Sequence, residues 1–176
     1  MKRLIIFLFL IFPMGAFAFT KQGFYAVDNS GWIAKPTPSG DVFICESCPD
    51  MVQVQISYGP EAGKDSPFKS NNDFLNAFAT KEKKEEFAKM MLESSLPTSG
   101  FEVNIIRVDE DYIGNLKALR YSASVKMPDG HTGRETTLVA MHKNRLVKFS
   151  VNFYGDKLNE KSAIAIDNLH KSIVLF

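Results

Sequence analysis

The chain has two cysteines, three positions apart in the stretch VFICESCPD, Val42 to Asp50. That spacing serves three chemistries: thiol–disulfide exchange, half of a metal site, or a disulfide that closes a tight turn. Exchange needs a low-pKa thiolate, usually obtained by setting the first cysteine at a helix N-terminus after a strand. Here Pro49 and Asp50 follow Cys48, and the next stretch, MVQVQISY, alternates apolar with polar residues in the manner of a half-buried strand. The sequence therefore aims no helix dipole at Cys45, and a copper-chaperone-like loop fails on the same ground. A structural zinc site needs four ligands, which two cysteines and the scattered His131, His142 and His170 do not easily supply. The favoured expectation is a disulfide, Cys45–Cys48, pinching the bend between two strands in an oxidising compartment. A redox-active pair is the alternative.

No other arrangement of nucleophile, base and acid stands out. The chain has no G-x-S-x-G, no H-E-x-x-H and no P-loop glycine run, so no catalytic residue, metal ligand or cofactor-binding residue is assigned. The acidic cluster DEDY, Asp109 to Tyr112, lacks the alternating ligands and terminal glutamate of a calcium loop and is expected to be a solvated connection before a strand. KEKKEE, Lys81 to Glu86, reads as the wet face of a helix.

The N-terminus bounds the compartment. Lys2 and Arg3 precede an apolar run from Leu4 to Phe12, and Ala16, Phe17, Ala18 present small residues where a signal peptidase reads them. Residues 1–18 are thus expected to be a cleaved signal peptide and residues 19–176 a single domain, periplasmic or secreted. The run is shorter than the roughly 20 residues of a spanning helix, so no stable membrane span is expected after cleavage. The full chain balances 21 Lys and Arg against 20 Asp and Glu; removal of Lys2 and Arg3 turns a net +1 into −1. The cations are interspersed with acids throughout, so nucleic acid is not an expected partner.

Around the cysteines the chain reads as strands and two helical regions. GFYAVDNSGWIAKP is expected to form a hairpin about Asp28 to Gly31, and TPSG a second turn leading into the strand DVFIC. Gly59 to Ser70 is expected to be a surface loop. From Asn71 the period becomes helical, with a break near Thr80, which could cap a second helix ended by Pro97 to Gly100. FEVNIIRV, NLKALRYSASVKM, RETTLVAMHK and RLVKFSVNFY return to period two. In the last of these Val147, Phe149, Val151 and Phe153 oppose Lys148, Ser150, Asn152 and Tyr154. Asn159 is the expected N-cap of a closing amphipathic helix. Consecutive hairpins with helices gathered in two places predict an α+β fold. It has an antiparallel sheet with a middle helical segment and a C-terminal helix packed on it.

The order of these elements, with GWIAKP in an early strand, NRLVKFSVNFYGD late and HKSIVLF in the closing helix, resembles the PsbP-like fold. That fold is shared by the photosystem subunit PsbP, a Ran-GTPase-binding protein and bacterial envelope proteins of the DcrB type. Gly31, Trp32, Gly155 and Ser172 carry the motif; the cysteine pair is no part of it. The resemblance implies a non-enzymatic binding or assembly module and transfers no functional residue. The expected function is an exported, non-catalytic protein that binds an envelope or secreted protein, or another envelope component, through the outer sheet face or the loop Gly59 to Ser70. Thiol–disulfide oxidoreductase and periplasmic immunity-type inhibitor are the alternatives.

Overall fold

A computed structural model of the chain describes residues 18–38, 40–96 and 100–176. The leader expected over residues 1–18 therefore falls almost wholly outside the described residues. The alternating segments form β1 (Ala18–Lys21), β2 (Tyr25–Asp28), β3 (Trp32–Thr37), β4 (Gly40–Cys45) and β5 (Val52–Glu61). Two helices follow, α1 (Asn71–Ala77) and α2 (Lys81–Ser95). Then come β6 (Glu102–Ile113), β7 (Leu116–Lys126), β8 (Thr132–His142), β9 (Arg145–Tyr154), α3 (Glu160–Lys171) and β10 (Val174–Leu175). All the strand pairs are antiparallel. A seven-stranded sheet has the order β3-β4-β5-β9-β8-β7-β6, and a three-stranded sheet the order β1-β2-β10. The architecture is α+β and dominated by sheet, with the middle helices and the C-terminal helix where the periodicity put them.

The break at Thr80 is a cap. Its side chain accepts from the Lys83 backbone N–H, as Ser70 does from Asp73 at the start of α1 and Asn159 from Lys161 at the start of α3. Because α1 and α2 are separate helices, Phe74, Phe78 and Phe87 can converge despite their different phases. With Phe68 from the preceding loop they form one aromatic cluster.

Four expectations are corrected. Asp28 to Gly31 do not close a hairpin: β2 pairs with β1 and β10, while β3 pairs with β4. Gly31, at φ +79°, instead passes the chain from the small sheet to the large one. The DEDY cluster is no connection either. It lies within β6, where Asp109 opposes Arg120 and Asp111 opposes Ala118 in the ladder. The loop after Tyr58 begins later than expected, since β5 continues through Gly59 and Pro60 to Glu61 across a register shift. Finally, the chain does not end on the helix: Val174 and Leu175 add a strand to β2.

Three polar contacts lie at the end of the structure where the small sheet meets the large one. Asp41 is buried, yet its carboxylate accepts from the Tyr25 hydroxyl at 2.7 Å and from Lys21 Nζ at 3.3 Å. Burial, with Asp41 alongside, holds the Tyr25 phenol far above its usual range. Nearby, the Tyr58 hydroxyl lies 3.0 Å from His142 Nδ1. Burial, aided by the adjacent Lys143, holds the His142 imidazole below its ordinary value. A histidine with a depressed folded pKa takes up its proton more readily in the unfolded chain, so stability falls as pH drops through the unfolded value near 6.5. Chemical denaturation at pH 7.5 and 5.5 should show that loss, and His142→Gln should reduce it.

Candidate binding face

The register lists which side chains stand beside one another across the large sheet. One row on its first face runs Ile33, Ile44, Gln53, Asn152, Glu135, Ala123, Ile105. The next runs Lys35, Val42, Gln55, Ser150, Thr137, Tyr121, Val108. A third carries Ser57, Lys148, Val139, Leu119. In each row the right-hand members are apolar or, as with Tyr121, largely so. These are the residues buried with Phe74, Phe87, Ala88 and Leu92 under α1 and α2, which contact β6, β7 and β8. Moving left, the rows turn to amide, hydroxyl and lysine, with Ile33, Ile44 and Val42 toward the β3 edge; Ser57, Ser150 and Thr137 are buried among their neighbours, and no described helix lies over this half.

The opposite face is arranged the other way. The row Asp41, Ile56, Phe149, Leu138, Arg120, Asp109 begins under the small sheet and α3 and ends in charge. Arg120 donates from Nε and Nη2 to Asp109 and from Nη1 to Asp111 at 2.6–2.7 Å. The Arg120 hydrogen bonds hold the Asp109 carboxyl below its ordinary value. The carboxylates once considered for calcium are thus occupied by arginine. Glu110, on the first face, binds Lys84 of α2 and Lys117 at 2.7 and 2.5 Å.

A cleft of about 300 Å³ lies on the first face, between its uncovered half and the side chains of Leu96 and Phe101. Met51, Leu96, Phe101, Val125, Met127 and Tyr154 form its apolar lining, and Gln53, Asn152, Glu135 and Arg134, the last paired with Asp156 at 3.2 Å, its polar part. Met51 is 77% exposed and Tyr154 58%. The Glu135 carboxylate is engaged within the sheet: its Oε1 accepts from the Tyr121 hydroxyl at 3.2 Å and lies 2.7 Å from Thr137 Oγ1. Gln53 and Asn152 face each other across β5 and β9, and their side-chain amides bond to no other described residue. Lys35 and Lys148 likewise pair with no carboxylate among the described residues. At the free edge, Ile33 is 42% exposed beside the half-buried Ile44.

The cysteine pair lies elsewhere. Cys45 ends β4 opposite Trp32, and its Sγ is bonded to Cys48, with the Cα atoms 5.5 Å apart. No helix starts at either cysteine; the first described helix after them begins at Asn71. Cys45 borders a cleft of about 320 Å³ together with Trp32, Ser47 and residues of α3. Two residues past Cys48, Asp50 accepts from the Asn159 backbone N–H at 2.7 Å, so the pinched bend also fixes the start of α3. With no dipole to favour a thiolate, the reduction potential should fall below about −300 mV, measured against dithiothreitol or glutathione buffers. Cys45→Ser with Cys48→Ser should lower stability by about 2 kcal/mol, the chain-entropy value for so small a ring.

The histidines do not converge. His131 pairs with Asp129 at an exposed turn, and His170 lies against Phe149 with Nε2 2.7 Å from the Tyr112 carbonyl oxygen. The loop Gly59 to Ser70 is partly tied down, through Ala62 to Asn144 and through Phe68 to the aromatic cluster. That favours the sheet face over the loop as the available surface. Single-strand periodicity marked Gln53 and Asn152 as solvent-facing. Only the pairing of β5 with β9, distant in sequence, makes them neighbours.

No protein-family model matches the chain, and no curated protein matches it in sequence. Solved structures do match. Cyanobacterial PsbP (CyanoP) from Synechocystis sp. PCC 6803 aligns with a TM-score of 0.55 at 14% identity, over 90% of this chain and 91% of that one. A protein from Bacteroides thetaiotaomicron VPI-5482 aligns with a TM-score of 0.52 at 12% identity, over 90% of this chain and 48% of that one. The fold is PsbP-like. At such identities the likeness extends to the fold alone.

Proposed function

We propose that this PsbP-like chain is an exported, non-catalytic binding or assembly protein of the cell envelope, and that it holds a protein partner on the uncovered half of the large sheet. The observation that carries the reading is the apolar cleft beside Gln53 and Asn152, two amides that bond to no described residue, on a face whose other half is closed by α1 and α2. Hydrogen-bonding groups left open beside apolar surface suit an interface, where a partner can satisfy the first and cover the second. The cysteine-pinched bend and the signal-like leader support export.

Gly133→Phe tests this reading. A Cβ at Gly133 meets nothing closer than Met127 Cε at 3.4 Å, so the ring can enter the cleft without disturbing the sheet. Proteins captured from the envelope fraction by the native chain should be lost to this variant at unchanged melting temperature. Capture of the same proteins by both forms would refute the assignment, as would turnover in an unbiased activity screen that a point mutation abolishes.

A further inference from the structure

The uncovered half-face also has a direction of charge. Its cleft spans the row of Gln53, Asn152 and Glu135 and, beyond it, the row of Tyr154, Gly133 and Val125, while Lys35 and Lys148 stand one and two rows from Asn152 toward the other end. Glu135 is the carboxylate lining the cleft, and its bonds within the sheet leave the two lysines without a match. Asn152 and Lys148 are four residues apart on one strand, which places their rows about 13 Å apart.

Resting on the binding reading above, we infer that the face takes an extended polypeptide segment with two features. A large apolar side chain enters the cleft, and a carboxylate four to six residues away reaches Lys148; Lys35, three strands across the sheet, adds positive charge to the same half-face. An extended segment rises about 3.3 Å per residue, so four residues cover the distance to Lys148 from the Asn152 end of the cleft and six from its Tyr154 end. The amides of Gln53 and Asn152 each offer a donor and an acceptor, the complement of a peptide group at the anchor. A lipid surface would supply anionic groups for the lysines but would leave the amide pair in contact with acyl chains and unsatisfied.

The test is to pan a random-peptide phage library on the immobilised full chain. Three variants are panned or probed in parallel: Gly133→Phe, the double charge reversal Lys35→Glu with Lys148→Glu, and the exposed control Ile164→Ala. The expected consensus has a large apolar residue and an acid four to six positions from it. Binding should be abolished by the plug, unchanged in the control, and weakened about tenfold by the charge reversal, the order expected for two exposed ion pairs. Raised salt should reduce affinity for the native chain and not for the reversed one. Peptides that Gly133→Phe excludes but that carry no acid, or that ignore the charge reversal, would overturn this inference and leave the binding face standing. Failure to enrich any peptide that the plug excludes would overturn both. Binding of phosphatidylglycerol vesicles that the plug and the reversal abolish would give the face a lipid occupant and overturn the polypeptide assignment.

Discussion

Phe74→Ala is expected to destabilise the protein by about 3–5 kcal/mol, read as a fall in the denaturant midpoint at constant slope. Phe74 is fully buried at the centre of the aromatic cluster, with ring centroids 5.4–5.7 Å from Phe68, Phe78 and Phe87. It comes from a helix of seven residues, too short to hold itself in place by local propensity. Asn71 also anchors that helix to the sheet, accepting from the Met141 backbone N–H and donating to the Lys117 carbonyl. Truncating the ring opens a cavity and loosens both helices from β7 and β8. A loss below about 1 kcal/mol would mean that the cluster does not hold α1 to the sheet.

Gly40→Ala should be comparably severe for a different reason. Gly40 opens β4 at φ +148°, and a Cβ there would lie 2.6 Å from Ser57 Cβ and 2.7 Å from the Ile56 carbonyl oxygen. Backbone cannot move aside as a flexible side chain can, so β4 must separate from β5 at the point where Asp41 enters its buried site. A loss of about 3 kcal/mol or more is expected, where alanine at an unconstrained glycine would be neutral or stabilising. Gly63, whose added Cβ meets nothing within 4 Å, is the control: Gly63→Ala should leave the midpoint nearly unchanged.

What could be read from the residues, and what could not, follows from the range of the interactions involved. The α+β class, the long strands, the Thr80 cap and the opposition of Val147, Phe149 and Val151 to Lys148, Ser150 and Asn152 depend on neighbours a few residues away. They were therefore visible in the chain. The turn at Asp28 to Gly31 has hairpin chemistry, but the tight turn only reverses or redirects the chain. β2 pairs instead with β1, just before it, and with β10, almost 150 residues on. Asp109 and Asp111 looked solvated because polar residues resemble loops. In β6 they are held by Arg120 from the adjacent strand, a cross-strand pairing that single-segment reading cannot supply. The candidate face was foreseen only as an outer sheet surface. Its cleft and its unpaired amides belong to the register between β5 and β9, and its uncovered state to the length of the two helices on the other half.

The most direct measurement places a photo-crosslinking benzoylphenylalanine at Met51, exposed at the cleft, and separately at Ile164, exposed on α3, in the cells that produce the protein. The expected result is a crosslinked protein adduct from position 51, absent from position 164 and lost when Gly133→Phe is combined with it. Adducts only from position 164, or none from position 51 while the chain is folded and exported, would contradict a binding role for the uncovered half of the sheet.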